Sequence, residues 1–282
     1  MPERLRGVRA AVVGHVEWIE FGRVDHVPAP GEIVHVSESW QEPGGGGAVA
    51  AVQLCKLAGA ATLYTAFGDD ELGHRAKREL EGLGLRVEAA FRPNPQRCGF
   101  VHIDQGGERT ITVIGERMGP RGDDPLPWSE LSETDAVYFT AGDRAAALEA
   151  RRARTLVSTV RGLKTLAEAG VELDALVASA SDPGERYSPG DLEPSPLHVV
   201  RTMGAGGGEF ESLRPARGGR WAATWRPGPV SVAYGCGDSF AAGLTYGLGS
   251  GLPIDEAVLV AARCGAACLT GRGPYQAQLR SG

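Results

Sequence analysis

The chain has 282 residues, 42% of them hydrophobic and 23% charged, with a formal net charge of -6 at pH 7. That length and apolar content bury a substantial core, enough for one large α/β domain or two small ones. The acidic balance, with no track of Lys and Arg, argues against a mainly electrostatic nucleic-acid surface, and no apolar stretch is long enough to span a membrane.

The N-terminus reaches an apolar strand, GVRAAVVG, without the hydrophobic region and small-residue cleavage site of a signal peptide. The five cysteines, at 55, 98, 236, 264 and 268, are odd in number and scattered over predicted helices, a strand and a loop. That is not a disulfide framework, and a reducing, cytoplasmic setting is expected. Cys264 and Cys268 share ARCGAACLT with no His or further Cys, so a packed helix is expected there, not a metal site.

After the first strand, VEWIEFGRVDHVPAPGEIVHV continues as extended, partly alternating chain broken by Pro28, Pro30 and Gly31, the pattern of a small antiparallel flap. From Ala48 the spacing predicts a helix ending at Gly59, a natural C-terminal cap. The strand ATLYTAFG and the amphipathic helix DDELGHRAKRELEGLGL follow, so strand and helix alternate at the spacing of parallel βαβ units. CGFVHIDQGGERTITVIG interrupts with two extended runs around Gln105-Gly106-Gly107, a hairpin that would pair with the first flap as a lid.

The alternation resumes with DAVYFTAG, an Arg- and Ala-rich helix, TLVS, RGLKTLAEAG and LDALVAS. The basic run from Arg151 to Arg154 reads as a solvated face of that helix. LHVVRTMG adds a strand, GAGGGEFESL and GGRWAATW look like late edge strands, and two helices, DSFAAGLTYGLGSG and IDEAVLVAARCGAACLT, close the chain. A doubly wound, mostly parallel sheet flanked by helices is predicted, with a small β-sheet lid. Such sheets bind ligands beyond the C-terminal ends of their strands. No linker or internal repeat divides residues 1–282, so a single domain is expected, with lid segments at about 15–39 and 98–114.

Gly235-Cys236-Gly237-Asp238 stands where a helix begins. Unpaired N–H groups and the positive end of the helix dipole favour an anion there, and glycines let a phosphate approach the backbone. An acidic side chain beside a bound anion points to proton transfer, hence to phosphoryl transfer onto a hydroxyl. The competing reading is an N-capped core helix whose loop happens to be glycine-rich.

Two further glycine-rich stretches, Gly44 to Gly47 and Thr202 to Gly207, also fall at predicted element ends. With GxxxxxxxxxVxxxPxPGE over residues 14–32, GGGGAVAAVQLCKLAG from residue 44, FGDDELG from residue 67 and YGCGDSFAAG from residue 234, the chain resembles the ribokinase-like (PfkB) family of ATP-dependent sugar and nucleoside kinases along nearly its whole length. The resemblance implies Asp238 as catalytic base, with the N–H groups of Gly235, Cys236 and Gly237 as anion hole. It implies a nucleotide-binding role for Thr202, Gly204 and Gly207, and an acceptor-binding role for Gly44, Gly45, Gly46 and Glu17, with His15 and Trp18 near the acceptor. Asp70 in FGDDELG reads as a helix cap.

Several positions depart from the family pattern. Val232 and Ala233 stand where relatives carry the Asp and Thr that help hold a monovalent cation, which makes potassium activation doubtful. Val49 and Ile19 replace a usual Asn and a sugar-binding Asp, so ribose itself is not a safe expectation. Ser179-Ala180-Ser181-Asp182 is the nearest match to the magnesium-organising Asn-x-x-Glu, and Asp182 is the candidate for orienting hydrated Mg²⁺, against the alternative of an ordinary turn. The expected partners are ATP, Mg²⁺ and a small phosphate acceptor, with no nucleic acid or membrane and with a homodimer through the lid. The altered positions also keep open a catalytically weak metabolite- or nucleotide-binding sensor.

Overall fold

The computed structural model describes residues 7–281. The reading of the first six residues as lacking a leader lies outside them.

In chain order the elements are β1 (Ala10–Val13), β2 (Glu17–Arg23), β3 (Glu38–Gly44), α1 (Gly46–Ala58), β4 (Ala61–Gly68), α2 (Glu71–Gly82) and β5 (Arg86–Arg92). A hairpin of β6 (Cys98–Ile103) and β7 (Arg109–Ile114) precedes β8 (Ala136–Phe139), α3 (Arg144–Ala150), β9 (Thr155–Thr159), α4 (Leu163–Ala169) and β10 (Ala175–Ser179). β11 (His198–Thr202), β12 (Gly208–Leu213), β13 (Ala216–Trp221), α5 (Cys236–Gly249) and α6 (Ile254–Cys268) complete the chain.

Nine strands form one sheet in the order β13-β12-β11-β10-β9-β8-β1-β4-β5. It is parallel from β11 to β5, while β12 and β13 join antiparallel at one edge. Its central strands β9, β8 and β1 are buried at every position because both faces are covered. Val12 and Tyr138 enter a core shared with α1, α5 and α6, whereas Val13, Val137 and Phe139 enter a second core with α3 and α4. The doubly wound reading therefore holds.

A separate four-stranded sheet has the order β3-β2-β6-β7. β2 pairs antiparallel with β3 and parallel with β6, so the two predicted flaps join in one sheet. Asp104 tightens the β6–β7 turn by accepting from the N–H groups of Gly106 and Glu108, at 2.8 and 2.9 Å. All six residues of β7 are exposed.

Three local expectations need correction. Helix α1 begins at Gly46, not Ala48, and ends as expected at Gly59. Strand β5 had no counterpart in the sequence reading, because RVEAAFR lacks clean alternation and is stabilised by pairing with β4 along its full length. Arg151 to Arg154 do not line a helix face: α3 stops at Ala150, and Arg151 is tied to Asp174 at 2.7 Å and to the carbonyls of Glu172, Ala153 and Arg154. This run is a turn clamp that fastens α3 to the next βα unit. Asp70, by contrast, caps α2 as expected, accepting from Gly73 N–H at 2.9 Å and also from Gln96 N–H at 2.8 Å.

Candidate active site

Helix α5 begins with Gly235 in the left-handed region at φ 79, and no side chain caps it. Its first backbone bond runs from Ser239 N–H to Gly235 O at 2.9 Å, leaving the amides of Cys236, Gly237 and Asp238 free of a side-chain cap. A Cβ on Gly237 would meet nothing within 4 Å, so the first turn of the helix is open at that residue. A Cβ on Gly235 would lie 2.9 Å from Val49 Cγ1 and 3.0 Å from Pro274 Cβ. The valine in place of the usual Asn is thus the apolar floor under this loop, fully buried in the core.

Asp238 sits in the first turn of α5 with a partly solvent-facing side chain. A Cβ on Gly46 would lie 2.8 Å from Asp238 Oδ1 and 3.2 Å from Thr140 Oγ1, so the glycine loop before α1 and the end of β8 meet at this carboxylate. Desolvation raises the Asp238 pKa to about 6, against the pull of Arg161 and Arg109, with Glu185 and Glu17 adding to the rise. A carboxylate titrating there is a proton acceptor suited to neutral pH.

The same glycine loop is fastened to the segment before α5. Tyr234, fully buried, accepts from Gly45 N–H at 2.9 Å through its hydroxyl, and a Cβ on Gly44 would lie 2.6 Å from that oxygen. Tyr234→Phe leaves a buried amide without its partner, and a loss of about 1–3 kcal/mol is expected in urea unfolding. An unchanged midpoint would show that this bond carries no stability.

Beneath the glycine loop, Gly47 N–H donates to His15 O at 3.1 Å. The His15 side chain is buried, and burial followed by Arg117, Arg97 and Arg161 drives its pKa well below 6.5, so the imidazole is neutral. Its Nδ1 is buried with no hydrogen-bond partner. Glu17 Oε1 lies 2.7 Å from Arg97 Nε and 3.7 Å from His15 Nε2, though the arginine N–H is not aimed along the shorter contact. Trp18 lies instead under Arg75 of α2, whose guanidinium is 4.5 Å from the ring centroid. Ile19 is fully buried and fills the space beside Gly44.

Thr202 ends β11, and the turn 204–206 leads to Gly207. Gly207 has a packing reason of its own: φ is 84, and a Cβ would collide with the Trp221 carbonyl. Trp221 in turn stacks on Phe240, two residues beyond Asp238, at 5.8 Å between ring centroids. This contact holds the 202–207 loop on the same side of the sheet as the start of α5.

Asp182 lies in a turn, accepting from Gly184 N–H at 2.8 Å and pairing with Arg161 at 2.6 Å. Glu185, which the sequence reading did not single out, also pairs with Arg161 at 2.6 Å and accepts from Ser179 N–H at 2.9 Å. It is the less exposed of the two and is the one whose charge raises the Asp238 pKa. Glu185 stands three residues after Asp182, the spacing of Asn-x-x-Glu with Asp182 in the place of the Asn, so the signal was present in the chain three residues beyond the Ser179-to-Asp182 match. Arg97, Arg109, Arg117, Arg161 and Thr140 were likewise not anticipated, since they come from different elements and carry no local pattern.

The glycine loop, the uncapped helix start and Asp238 thus converge beyond the C-terminal ends of parallel strands. The sequence pattern of "pfkB family carbohydrate kinase" matches residues 9–176 and 198–279. The chain belongs to the PfkB family.

Among curated PfkB-type relatives, the chain is 28% identical over 191 residues to an ATP-dependent ribose-1-phosphate kinase of Halopiger xanaduensis, covering 65% of this chain and 57% of that one. It is 30% identical over 106 residues to a ribokinase of Dictyostelium discoideum, covering 37% of this chain and 33% of that one. The aligned regions thus span less than two thirds of either relative. Among solved structures, a Thermotoga maritima ribokinase superposes with TM-score 0.76 at 20% identity, covering 96% of both chains. A Cryptococcus neoformans ribokinase in complex with ADP gives TM-score 0.75 at 20% identity, covering 97% of both chains. These likenesses establish the PfkB fold. No helix among the described residues is long and apolar enough to cross a membrane.

Proposed function

We propose that this PfkB-family chain transfers the γ-phosphoryl group of ATP to a hydroxyl of a sugar, nucleoside or related small metabolite. The observation that carries this reading is the meeting of the Asp238 carboxylate, of raised pKa, with the Gly46 loop at an uncapped helix start. In this reading the acceptor hydroxyl lies against Gly44 to Gly46 and Glu17, and Asp238 takes its proton. The amides of Gly235, Cys236 and Gly237 stabilise the charge of the transferring phosphoryl group. Thr202, Gly204 and Gly207 line the nucleotide side, and the four-stranded sheet covers the acceptor and excludes water that would compete as nucleophile.

Among the described residues no group of three or more His, Cys, Asp or Glu could hold a metal ion alone. Asp182 and Glu185 already face Arg161, so they fit the outer shell of an ion carried in by nucleotide phosphates. Magnesium bound there supplies neutralising charge on the phosphates. Val232 is fully buried and Ala233 nearly so, and neither brings a side-chain oxygen to a cation.

The test is ATP consumption with magnesium across sugars, nucleosides and polyols, in potassium and in sodium. Turnover of at least one acceptor is expected, at the same rate in both salts. ATP binding without turnover on any acceptor would overturn the kinase reading in favour of a binding-only protein. A strong potassium requirement would refute the reading of Val232 and Ala233.

A further inference from the structure

Two thiols meet at the start of α5. Cys236 opens α5 and Cys268 closes α6, and the packing of these helices brings both sulfurs onto one atom. Cys236 Sγ lies 4.0 Å from the carbonyl oxygen of Tyr234, and Cys268 Sγ donates to the same oxygen at 3.5 Å and to Pro274 O at 3.5 Å. The two side chains also hydrogen-bond to each other. The other three thiols have separate surroundings: Cys55 Sγ faces Gly84 O, Cys98 Sγ faces Gln96 O, and Cys264 packs under Gly243 of α5. All five are unbridged, and Cys236 with Cys268 is the pair placed to bond. Cys236 is half-buried beside the open Gly237, while Cys268 is fully buried.

We propose that Cys236 and Cys268 form a reversible oxidation site, a dithiol that closes to a disulfide and disables the start of α5 for catalysis. An S–S bond of about 2.05 Å needs the sulfurs closer together than two touching thiols stand. The helices cannot supply that approach by sliding, because a Cβ on Gly243 or Gly247 of α5 would already lie 2.8 or 2.9 Å from the Cα atoms of Ala261 and Ala257 of α6. The movable part is the turn itself, where Gly235 and Gly237 flank Cys236. Closing the bond draws Cys236 toward α6 and takes its amide away from the transferring phosphoryl group. It also removes the thiol donors from the carbonyl of Tyr234, the residue whose hydroxyl holds Gly45 N–H. The loss of activity rests on the kinase reading above, whereas the disulfide does not.

The oxidant is a peroxide, small enough to reach Cys236 through the open first turn. The Cys236 sulfur attacks one oxygen of hydrogen peroxide, the O–O bond breaks, and the other oxygen leaves as water with the thiol proton, giving a sulfenic acid. The Cys268 sulfur then attacks the Cys236 sulfur. The S–S bond forms, the S–O bond breaks, and the hydroxyl leaves as a second water with the Cys268 proton. Two electrons and two protons thus pass from the thiols to the peroxide. The hydrogen bond from Cys236, working against burial and helped by the Ser239 hydroxyl, lowers the Cys268 pKa, which suits that thiol to the second attack. The same bond raises the Cys236 pKa, so the first step is the slow one. Reduction by a dithiol restores the site, as for disulfides that form transiently under reducing conditions.

The experiment treats the full chain with hydrogen peroxide, blocks the remaining thiols with iodoacetamide and maps the peptides without reduction. A peptide cross-linked between Cys236 and Cys268, lighter by two hydrogen atoms, is expected to accumulate while kcat falls about 10²- to 10³-fold, the worth of one displaced anion-hole donor. Dithiothreitol should reverse both changes. Cys268→Ser keeps a donor for the Tyr234 and Pro274 carbonyls, so it is expected to retain the wild-type kcat before oxidation, to form no cross-link, and to take dimedone on a Cys236 sulfenic acid after peroxide. Oxidation of the wild type that stops at Cys236, bridges another pair or leaves both thiols free overturns the proposal, as does a fully cross-linked chain that turns over normally. A Cys268→Ser chain that takes no dimedone at Cys236 does the same. Where no acceptor turns over, the kinase reading fails separately and the peptide map decides the site: a cross-link reversed by dithiothreitol supports it, and its absence overturns it.

Discussion

Asp238→Asn is expected to lower kcat by about 10²- to 10⁴-fold, the usual worth of a general base, while ATP still binds. The amide keeps the shape of the carboxylate in the first turn of α5 but has no basic oxygen of comparable strength. The wild-type rate should rise with pH through about 6, where Asp238 loses its proton, and level off above it. In the variant that limb should disappear. A pH–rate profile that stayed flat from 5 to 8 in the wild type, or survived in the variant, would remove Asp238 from the base role.

The same shift carries a stability sign. Desolvation raises the pKa of Asp238 in the folded chain above its ordinary value, so the folded state binds the proton more tightly than the unfolded chain does. Folding stability therefore falls as pH rises from about 4 to about 6, and the ionised carboxylate remains a cost at neutral pH. Asp238→Asn removes that cost, and a gain of about 1–3 kcal/mol at pH 7–8 is expected. Because the side chain keeps a solvent-facing edge, the lower part of that range is the better expectation. The gain should vanish below about pH 4, where the wild-type carboxyl is protonated in both states. A variant that is less active yet more stable is the pattern of a site built for chemistry at the expense of stability.

Gly46→Ala is expected to reduce kcat by about 10- to 100-fold with little loss of stability. The new methyl group would stand 2.8 Å from Asp238 Oδ1 and 3.2 Å from Thr140 Oγ1. Both are side-chain atoms that can rotate away, so the fold absorbs the clash, but the carboxylate leaves its position. Gly47→Ala is the contrast: its Cβ would lie 2.6 Å from His15 O and 2.8 Å from Gly14 C, backbone atoms that cannot yield separately. There a loss of about 3 kcal/mol is expected, with chemistry affected only through unfolding. Thermal melts and initial rates on the two variants separate the cases. Equal melting-point losses would mean that Gly46 is required by packing alone.

What was legible in the chain was whatever repeats locally. Apolar runs such as AAVV and AVYF mark strands covered on both faces, and the spacing of AVAAVQLCKLAG marks a helix, because these patterns follow from the geometry of each element by itself. Strand β5 escaped because RVEAAFR has neither clean alternation nor an apolar run, and only its register against β4 makes it a strand. The basic run after α3 was misread for a related reason. Its guanidinium groups reach carbonyls and a carboxylate on another βα unit, and nothing in RRAR announces those partners.

The site divides along the same line. Sequence by itself determined the family, the doubly wound fold and the glycine-rich segments ending in Asp238, since each is written in contiguous residues whose backbone needs are local. Only the tertiary structure decided that Gly46, Thr140 and Asp238 meet, that Glu185 stands beside Asp182 on Arg161, and that Arg97, Arg117 and Arg161 gather over His15. Those residues come from the ends of separate strands and from loops far apart in the chain. Charge and desolvation act through space, so the raised pKa of Asp238 arises only when the sheet brings those ends together.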